Sequence, residues 1–217
     1  MLDTASQRAN MVAAQLRPND VTDARIRDAM ATVERERFVP ESQAAIAYAE
    51  CCVSLGPGRV LLEPRAFAKL LQLAQIQPGD RVLDLACGTG YSTAILSLLA
   101  REVVALEEDS ALAARAEENL AALGVRNARV VRGKLAEGCP KDAPFDVIFV
   151  NGAMAREPVE LLAQLADGGR LAAFARKGAA GHGVIYVNHE GAVGEREAFD
   201  ALVPVLPGFE KPPAFVF

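Results

Sequence analysis

Residues Val82–Tyr91 have the sequence VLDLACGTGY, and this segment is the most informative one for predicting the fold. The first half is an apolar run of strand length that contains one acidic residue, Asp84. The second half is a turn of small residues followed by the start of a helix. Gly88 and Gly90 allow the backbone to approach a ligand closely, and a helix N-terminus offers free N–H groups. The alternative is a tight strand-to-helix turn that binds nothing.

The positions of the acidic residues separate two kinds of nucleotide-binding fold. Dinucleotide-binding enzymes carry G-x-G-x-x-G after a strand, and this turn has a different spacing. Asp84 lies inside the strand, where a carboxylate repels a pyrophosphate but can hold the ammonium group of an amino-acid-like ligand. Glu107 ends the next strand, 17 residues after Gly90, near the spacing at which an acid accepts both ribose hydroxyls. This combination is typical of S-adenosylmethionine-dependent methyltransferases of the Rossmann-like class, with a nicotinamide-dependent enzyme as the less favoured alternative.

Strands alternate with helices from Pro78 onward, which predicts parallel strands joined by crossover helices. The predicted strands are Arg81–Ala86, Glu102–Leu106, Asn127–Arg132, Phe145–Val150, Gly169–Ala175 and Gly183–Val187. The predicted helices are Tyr91–Ala100, Ser110–Leu123 and Pro158–Ala166. Two later segments are less clear: Phe199–Val205 is ambiguous, and Ala214–Phe217 is a candidate for a final edge strand.

The chain before Pro78 has a helical pattern instead, with apolar residues three and four positions apart. The predicted helices there are Asp3–Gln15, Asp23–Val33, Glu41–Tyr48 and Glu63–Gln75. Cys51–Leu62 contains Gly56-Pro57-Gly58 and is predicted to be a loop. The fold class is therefore α/β: a Rossmann-like methyltransferase sheet, mostly parallel with an antiparallel edge, preceded by N-terminal helices. We expect one domain over 1–217, with a helical portion at 1–77 and a cofactor-binding α/β core at 78–217.

Composition excludes several other classes of protein. The 217 residues are 51% hydrophobic and 24% charged with a net charge of −5, which argues against a nucleic-acid binder with a basic face. The sequence shows no secretory signal at its start, and its apolar runs fall short of the roughly 20 residues that span a bilayer. Four Cys without zinc or disulfide spacing, and only two His, predict no metal site. We expect a reduced, metal-free, cytoplasmic protein without nucleic-acid or membrane partners.

Several segments together resemble the protein-L-isoaspartate O-methyltransferase family. The similarity runs in order from about residue 8 to residue 175, and it weakens toward the C-terminus, where Val203–Leu206 resembles a short apolar motif of that family. The most specific motif is R-E-x-F-V-P, present as Arg35–Pro40. The other matching segments are Arg25–Glu41 around it, Ala47–Glu50, Gly56–Leu71, Val82–Tyr91, Ala143–Ala153 and Leu161–Leu171.

The resemblance implies a fold, a cofactor and a reaction. The expected fold is a seven-stranded methyltransferase sheet with extra helices before it. The expected reaction transfers the methyl group of S-adenosylmethionine to the free α-carboxylate of isoaspartyl residues in damaged proteins, which starts their repair and leaves S-adenosylhomocysteine. A carboxylate is already ionised at pH 7 and a sulfonium donor is already activated, so positioning and desolvation should supply most of the rate without a general base. We expect a monomer whose partners are isoaspartyl-containing proteins or peptides.

Carrying the family motifs over residue by residue gives the candidate cofactor-binding residues, which are Asp84, Ala86, Cys87, Gly88, Gly90, Glu107, Glu108, Lys134, Leu135 and Asn151. The family has Gly-Asp-Gly after its third strand, with the Asp near the adenine amino group, whereas this chain has Gly133-Lys134-Leu135. A lysine cannot accept a hydrogen bond from an amine, so adenine recognition must rest on Glu108, backbone groups or apolar contact. Glu108 is equally compatible with a solvated acidic turn. Asn151 either reaches the reactive end of the cofactor or is a turn asparagine with satisfied hydrogen bonds, and Cys87 is better explained as a small packing residue than as a nucleophile.

The candidate substrate loop contains Val60, Leu61, Leu62 and Pro64. The family has approximately Thr-Ile-Ser-x-Pro here, with the Ser hydroxyl near the reacting carboxylate, and Leu62 stands at the Ser position. Loss of one donor aimed at developing charge costs roughly 10²–10³ in rate, and leucine cannot solvate a carboxylate. No catalytic residue is therefore assigned. Glu63 is expected to point outward, and Ser54 is a weaker candidate for a substitute hydroxyl. The nearby cations either attract a carboxylate or are merely solvated; they are Arg59, Arg65 and Lys69.

Two functional hypotheses remain. The first is an S-adenosylmethionine-dependent carboxyl O-methyltransferase of the isoaspartyl-repair family. The second is a diverged member, either a methyltransferase for another acceptor or a non-catalytic cofactor-binding module. Leu62 and Lys134 favour divergence, whereas the glycine turn and Glu107 favour retained cofactor binding.

Overall fold

The computed structural model describes residues 3–211 and begins with a helical portion. Its elements are helix α1 (Thr4–Met11), a π-helical turn (Val12–Leu16) and a 3-10 turn (Arg17–Asn19), helix α2 (Ala24–Thr32), two 3-10 segments (Arg35–Phe38 and Glu41–Ile46), a hairpin of strands β1 (Val53–Gly56) and β2 (Arg59–Leu61), and helix α3 (Pro64–Ala74). Side chains cap the helices locally: Asp3 accepts from the Ser6 N–H at 3.0 Å. Pro64 occupies the first turn of α3, where its missing N–H costs nothing.

A seven-stranded sheet follows. Its strands are β3 (Arg81–Leu85), β4 (Glu102–Glu107), β5 (Ala128–Arg132), β6 (Phe145–Met154), β7 (Leu165–Lys177), β8 (Ala180–His189) and β9 (Ala192–Asp200). The helices between them are α4 (Tyr91–Leu99), α5 (Ser110–Ala122) and α6 (Val159–Leu162). The spatial order is β5-β4-β3-β6-β7-β8-β9; the first four pairs are parallel, and β8 and β9 add antiparallel edge strands. The predicted fold class is confirmed.

The central parallel strands β3, β4 and β6 are buried on both faces, as strands of parallel sheets are. The core on one face includes the apolar sides of α1, α2 and α3, and aromatic contacts join this helical portion to the strands and to α4. Phe67 of α3 meets Phe149 of β6 edge to face, with ring centroids 5.6 Å apart, and Phe38 meets Tyr91 in the same manner at 5.4 Å. The N-terminal portion therefore packs directly on the sheet that carries the glycine turn.

Three predicted elements differ from the structure, and one strand of the structure was not predicted. Residues 51–62 are not an irregular loop, because Val53 pairs with Leu61 and Ser54 with Val60 in the β1–β2 hairpin. The helix predicted over Glu41–Tyr48 is a 3-10 segment, and the one predicted over Pro158–Ala166 is a single turn, because β7 begins at Leu165. Strand β9 covers residues 192–200, where no strand was predicted. The candidate strand Ala214–Phe217 lies outside the described residues.

The segment after β9 runs back along the end of β6. The Leu206 N–H donates to the Ala153 carbonyl and the Ala153 N–H donates to the Pro204 carbonyl, each at 2.9 Å. The Leu206 side chain rests directly on Gly152, where an added Cβ would lie 2.4 Å from Leu206 Cγ. This segment thus borders the carboxyl end of the sheet. Within residues 3–211, no helix has the length and apolar character needed to cross a membrane.

Candidate functional site

Three polar side chains meet at the carboxyl ends of β3, β4 and β6. Leu85 of β3 pairs with Leu106 of β4 on one side and with Val150 of β6 on the other. Because parallel strands end at the same edge, Asp84, Glu107 and Asn151 are brought together there. A crevice at the carboxyl ends of parallel strands is the usual ligand position in open α/β sheets.

Asp84 is fully buried and holds the centre of a polar network. One carboxylate oxygen accepts hydrogen bonds from Thr93 Oγ1 at 2.6 Å and Ser92 Oγ at 2.8 Å. The other accepts from Asn151 Nδ2 at 2.7 Å, and the same amide nitrogen also donates to the Leu85 carbonyl at 3.0 Å. Burial raises the pKa of Asp84 to about 6, against the opposing effect of these donors, and the charge of Glu107 raises it further.

The glycine turn is held in an unusual backbone conformation. Ala86, Gly88 and Gly90 have φ values of 62°, 59° and 95°, in the left-handed region that favours glycine. Gly90 lies against α5, where an added Cβ would be 3.3 Å from the Ala116 backbone. Thr89 Oγ1 donates to the Phe38 carbonyl at 2.6 Å and so ties the turn to the R-E-x-F-V-P motif. The turn is therefore fixed from both sides.

Cys87 lies within this turn and is 5% exposed. Burial raises the pKa of its thiol well above the ordinary value, and the neighbouring carboxylates Asp84 and Glu107 raise it further. Reactive cysteines need the opposite environment, one that stabilises the thiolate. The surroundings of Cys87 therefore agree with a packing role.

Glu107 is completely buried, and five donors surround its carboxylate. Oε1 accepts from the backbone N–H groups of Glu108 at 2.9 Å and Asp109 at 3.0 Å. Oε2 accepts from the Gly88 N–H at 2.8 Å, so the glycine turn itself contacts this side chain. The guanidinium of Arg59 completes the set as a bidentate ion pair, with Nη1 on Oε1 and Nη2 on Oε2 at 2.6 Å.

The β1–β2 hairpin covers the turn. Arg59 extends inward from β2 and is only 6% exposed, in contrast to an ordinary solvated arginine. From β1, Leu55 Cδ1 lies 2.9 Å from where a Cβ on Gly88 would be, so the leucine fills the space that the missing side chain leaves. At the hairpin tip, an added Cβ on Gly58 would lie 4.0 Å from Pro207, in the segment that follows β9.

Arg35 anchors the candidate substrate loop from below. Its side chain is fully buried, and its Nη2 donates to the Leu62 carbonyl while its Nε donates to the Ala47 carbonyl at 2.5 Å. Its guanidinium carbon lies 5.0 Å from the centre of the Tyr91 ring at the start of α4. The R-E-x-F-V-P motif is visible in the sequence, but the contacts of Arg35 with Leu62 and Tyr91 could not be predicted from it. The Leu62 side chain points into the core and is 2% exposed.

Of the remaining candidate residues, some are exposed on the surface and one, Leu135, is buried in the core. Glu108 and Lys134 are exposed, and Lys134 Nζ forms a 2.9 Å ion pair with Glu137 that raises the pKa of the lysine. Leu135 is buried in the core below them. Ser54 is exposed and pairs with Val60 in the hairpin, and Glu63 forms a 3.2 Å ion pair with Arg65. Over residues 3–211, no three His, Cys, Asp or Glu side chains form a group that would hold a metal.

A mostly parallel sheet of this strand order, with an acid inside the first core strand, a glycine turn after it and a glutamate ending the next strand, defines a Rossmann-like methyltransferase. The profile of the family described as protein-L-isoaspartate(D-aspartate) O-methyltransferase (PCMT) matches residues 7–183. The chain belongs to this family.

Individual relatives and solved structures agree. A protein-L-isoaspartate O-methyltransferase of Synechococcus sp. (strain JA-2-3B'a(2-13)) is 42% identical over 77% of this chain and 68% of its own length. The Koribacter versatilis (strain Ellin345) protein of the same name is 41% identical over 77% of this chain and 75% of its own. The crystal structure of a putative protein-L-isoaspartate O-methyltransferase from Plasmodium falciparum, in complex with S-adenosyl-L-homocysteine, superposes with a TM-score of 0.79 over 95% of this chain and 99% of that one, at 21% identity. Another structure of that name gives 0.79 at 22% identity, and this chain covers 66% of its length.

Proposed function

We propose that this protein is an S-adenosylmethionine-dependent carboxyl O-methyltransferase that acts on isoaspartyl residues of damaged proteins. The observation that carries the proposal is the meeting of Asp84 and Glu107 beside a fixed glycine turn, in a chain that belongs to the isoaspartyl methyltransferase family. The curated relatives bear the name of that activity. Isoaspartyl-containing proteins or peptides would be its partners, and we propose a monomer that works in the cytoplasm.

The residues present fit the cofactor in chemical kind. Glu107 offers carboxylate oxygens to ribose hydroxyls, and Gly88 lacks the side chain that would obstruct a ligand beside it. Asp84 offers a carboxylate to an ammonium group, with Asn151 fixing its orientation at 2.7 Å. Glu108 is exposed and directly follows Glu107 in the sequence, so its carboxylate is the candidate acceptor for an adenine amino group. Lys134 has no acceptor and is engaged by Glu137.

When bound, S-adenosylmethionine supplies a methyl group on a sulfonium that needs no further activation. The task left to the chain is to hold an ionised carboxylate in line with that methyl group and to exclude water. Arg35 contributes by fixing the Leu62 carbonyl, which sets the position of the substrate loop. The site residues include no side chain that must act as a general base, and the proposed reaction needs none.

One observation favours the second candidate function, a diverged family member. Leu62 occupies the position of the family's hydroxyl, and its side chain is packed in the core rather than directed at a substrate. The exposed Ser54 lies across the hairpin, paired with Val60, and does not replace it. A protein that binds the cofactor but methylates another acceptor, or none, would carry such a change.

Radiolabelled methyl transfer from S-adenosylmethionine to an isoaspartyl peptide tests the proposal, with Leu62→Ser measured alongside. We expect slow transfer by the natural chain. The Leu62 side chain packs in the core, so Leu62→Ser gains roughly 10²–10³-fold only if the smaller residue turns its hydroxyl toward the reacting carboxylate. Leu62→Ala is the matched control, since it makes a similar cavity without the hydroxyl. Rapid turnover that Leu62→Ser barely changes would show that position 62 does not limit the rate. Cofactor binding with no transfer in either protein would favour the diverged member.

A further inference from the structure

We propose that Arg59 is a latch on the cofactor site: its ion pair with Glu107 holds the β1–β2 hairpin over the glycine turn, and the cofactor must displace it to bind. This inference rests on the proposed use of S-adenosylmethionine and concerns how that cofactor gains access. The sequence suggested that Arg59 either attracts a carboxylate substrate or is merely solvated, and its buried ion pair with Glu107 gives it a different role.

The acceptor capacity of Glu107 carries the first step. A carboxylate has about four lone-pair positions, and five donors already point at this one. Three of them are backbone N–H groups of Gly88, Glu108 and Asp109, which belong to the turns that shape the site. Only the two Arg59 donors come from a separate element. Two ribose hydroxyls can therefore reach Glu107 only after Arg59 has left.

The shape of the site gives the second step. Gly88 has no Cβ, which leaves space for a ligand beside the turn. In this structure the Leu55 side chain fills that space. Leu55 and Arg59 lie on opposite strands of the same hairpin, so one movement of the hairpin removes both. The ion pair and the apolar contact therefore close the same site together.

The connectivity of the hairpin gives the third step. Strands β1 and β2 pair with each other and form a sheet separate from the seven-stranded one. No backbone ladder joins the hairpin to the main sheet, so the hairpin can move without breaking that sheet. Val53 and Leu61 at its base are buried in the core, so the expected movement is that of the part between them, from Leu55 to Arg59. Gly58 at its tip meets Pro207, which places the latch against the segment that follows β9.

The latch makes a quantitative prediction for binding. If the open form is a small fraction of the free protein, the apparent Kd exceeds the intrinsic Kd by the inverse of that fraction. Arg59→Met keeps the apolar stem of the side chain and removes the ion pair. We expect this variant to bind S-adenosylhomocysteine at least tenfold more tightly than the natural chain. The control Arg115→Met removes an exposed arginine of α5, which pairs with Glu118, and should leave the Kd unchanged.

Leu55→Ala provides a second variant that keeps the ion pair and the fold if Arg59→Met proves unstable. It should tighten binding by a smaller factor, because it removes only the apolar contact with Gly88. In rapid mixing, the observed association rate of the natural chain should reach a plateau at high ligand concentration, set by hairpin opening. The rate for Arg59→Met should continue to rise with concentration.

The outcomes separate the latch from the cofactor assignment. If the natural chain binds S-adenosylhomocysteine and neither Arg59→Met nor Leu55→Ala binds it more tightly, the latch is wrong while cofactor binding stands. Weaker binding by Arg59→Met also overturns the latch, because it would make Arg59 a ligand-binding residue. If none of the proteins binds, the cofactor assignment fails and the latch fails with it.

Discussion

Asp84 carries its charge inside the core, where the three side-chain donors around it only partly compensate for lost water. Burial raises its pKa from 3.8 to about 6. An acid with a raised pKa in the folded state binds its proton more tightly there than in the unfolded chain. Between these two values the folded state is protonated and the unfolded state is not. The contribution of Asp84 to stability is therefore most favourable below pH 4 and declines as the pH rises through 6.

We predict that this decline is visible when Asp84→Asn is compared with the natural chain. The free energy of unfolding of the natural chain, minus that of the variant, should fall by about 2 kcal/mol as the pH rises from 4 to 7. Urea denaturation at a series of pH values gives the difference, in which the carboxylates far from Asp84 cancel; Glu107 does not cancel fully, because its charge acts on Asp84. A difference that stays level or rises with pH would contradict this account. It would mean that the hydrogen bonds to Asp84 fully offset the effect of burial on its pKa.

The site residues are of two kinds: some lie together in one sequence motif, and others meet only through contacts between distant parts of the chain. Asp84, Gly88 and Gly90 lie within ten residues in a motif with a physical reason for each, so the sequence alone could propose them together. The bond from Asn151 to Asp84 spans 67 residues, and the Arg59–Glu107 pair spans 48. No local pattern encodes such contacts, since they depend on strand order and on where the hairpin folds. The cofactor and substrate roles of all these residues remain predictions.

Among the elements, the segment after β9 depends on a glycine for its position. Gly152 lets Leu206 pack directly on β6, and the backbone bonds between Ala153 and residues 204 and 206 follow from that approach. A methyl group at 152 would lie within 2.4–3.0 Å of three Leu206 carbons. The element therefore has no room for the smallest possible side chain.

We predict that Gly152→Ala lowers the free energy of unfolding by about 1–3 kcal/mol, as overpacking of a core does. Gly194→Ala in β9 is the matched control, because nothing lies within 4 Å of a Cβ there and its φ is not in the left-handed region. It should change stability by less than about 1 kcal/mol. Urea midpoints of the two variants provide the comparison. Equal effects at the two positions would contradict the packing of Leu206 on Gly152.

The elements also show what the sequence could predict. Buried strands such as Arg81–Leu85 and amphipathic helices such as α5 were found because one period dominates each of them. Strand β9 was missed because its residues are almost all exposed and many are charged, so no apolar face marks it. The β1–β2 hairpin was missed because the Gly56-Pro57-Gly58 sequence that suggested a loop forms its turn.

At the level of the whole molecule, the helical portion and the sheet share one core. A contiguous set of buried side chains runs from Met11 and Phe67 to Val103 and Phe149. Arg35 and Phe38 contact the start of α4 in addition. We therefore propose that residues 1–77 and 78–217 form a single folding unit.

This proposal predicts one cooperative unfolding transition. Far-ultraviolet circular dichroism, which follows mainly the sheet and helices, should coincide with tyrosine fluorescence. Tyr91 contributes to that signal from the contact between the two portions, Tyr48 from the helical portion and Tyr186 from β8. The calorimetric and van't Hoff enthalpies should also agree. Two separate transitions, with the tyrosine signal changing first, would show that the helical portion unfolds independently.

The central claim is that this chain binds the methyl-donor cofactor at Glu107 and the glycine turn. Isothermal titration calorimetry with S-adenosylhomocysteine tests it most directly, on the natural chain and on the Glu107→Ala and Lys134→Ala variants. We predict a Kd in the micromolar range for the natural chain, with Glu107→Ala weakening binding more than Lys134→Ala does. The loss of the ribose acceptor should outweigh the release of Arg59 that the same substitution causes. A titration without binding heat at high protein concentration, or a larger loss in Lys134→Ala than in Glu107→Ala, would contradict the account.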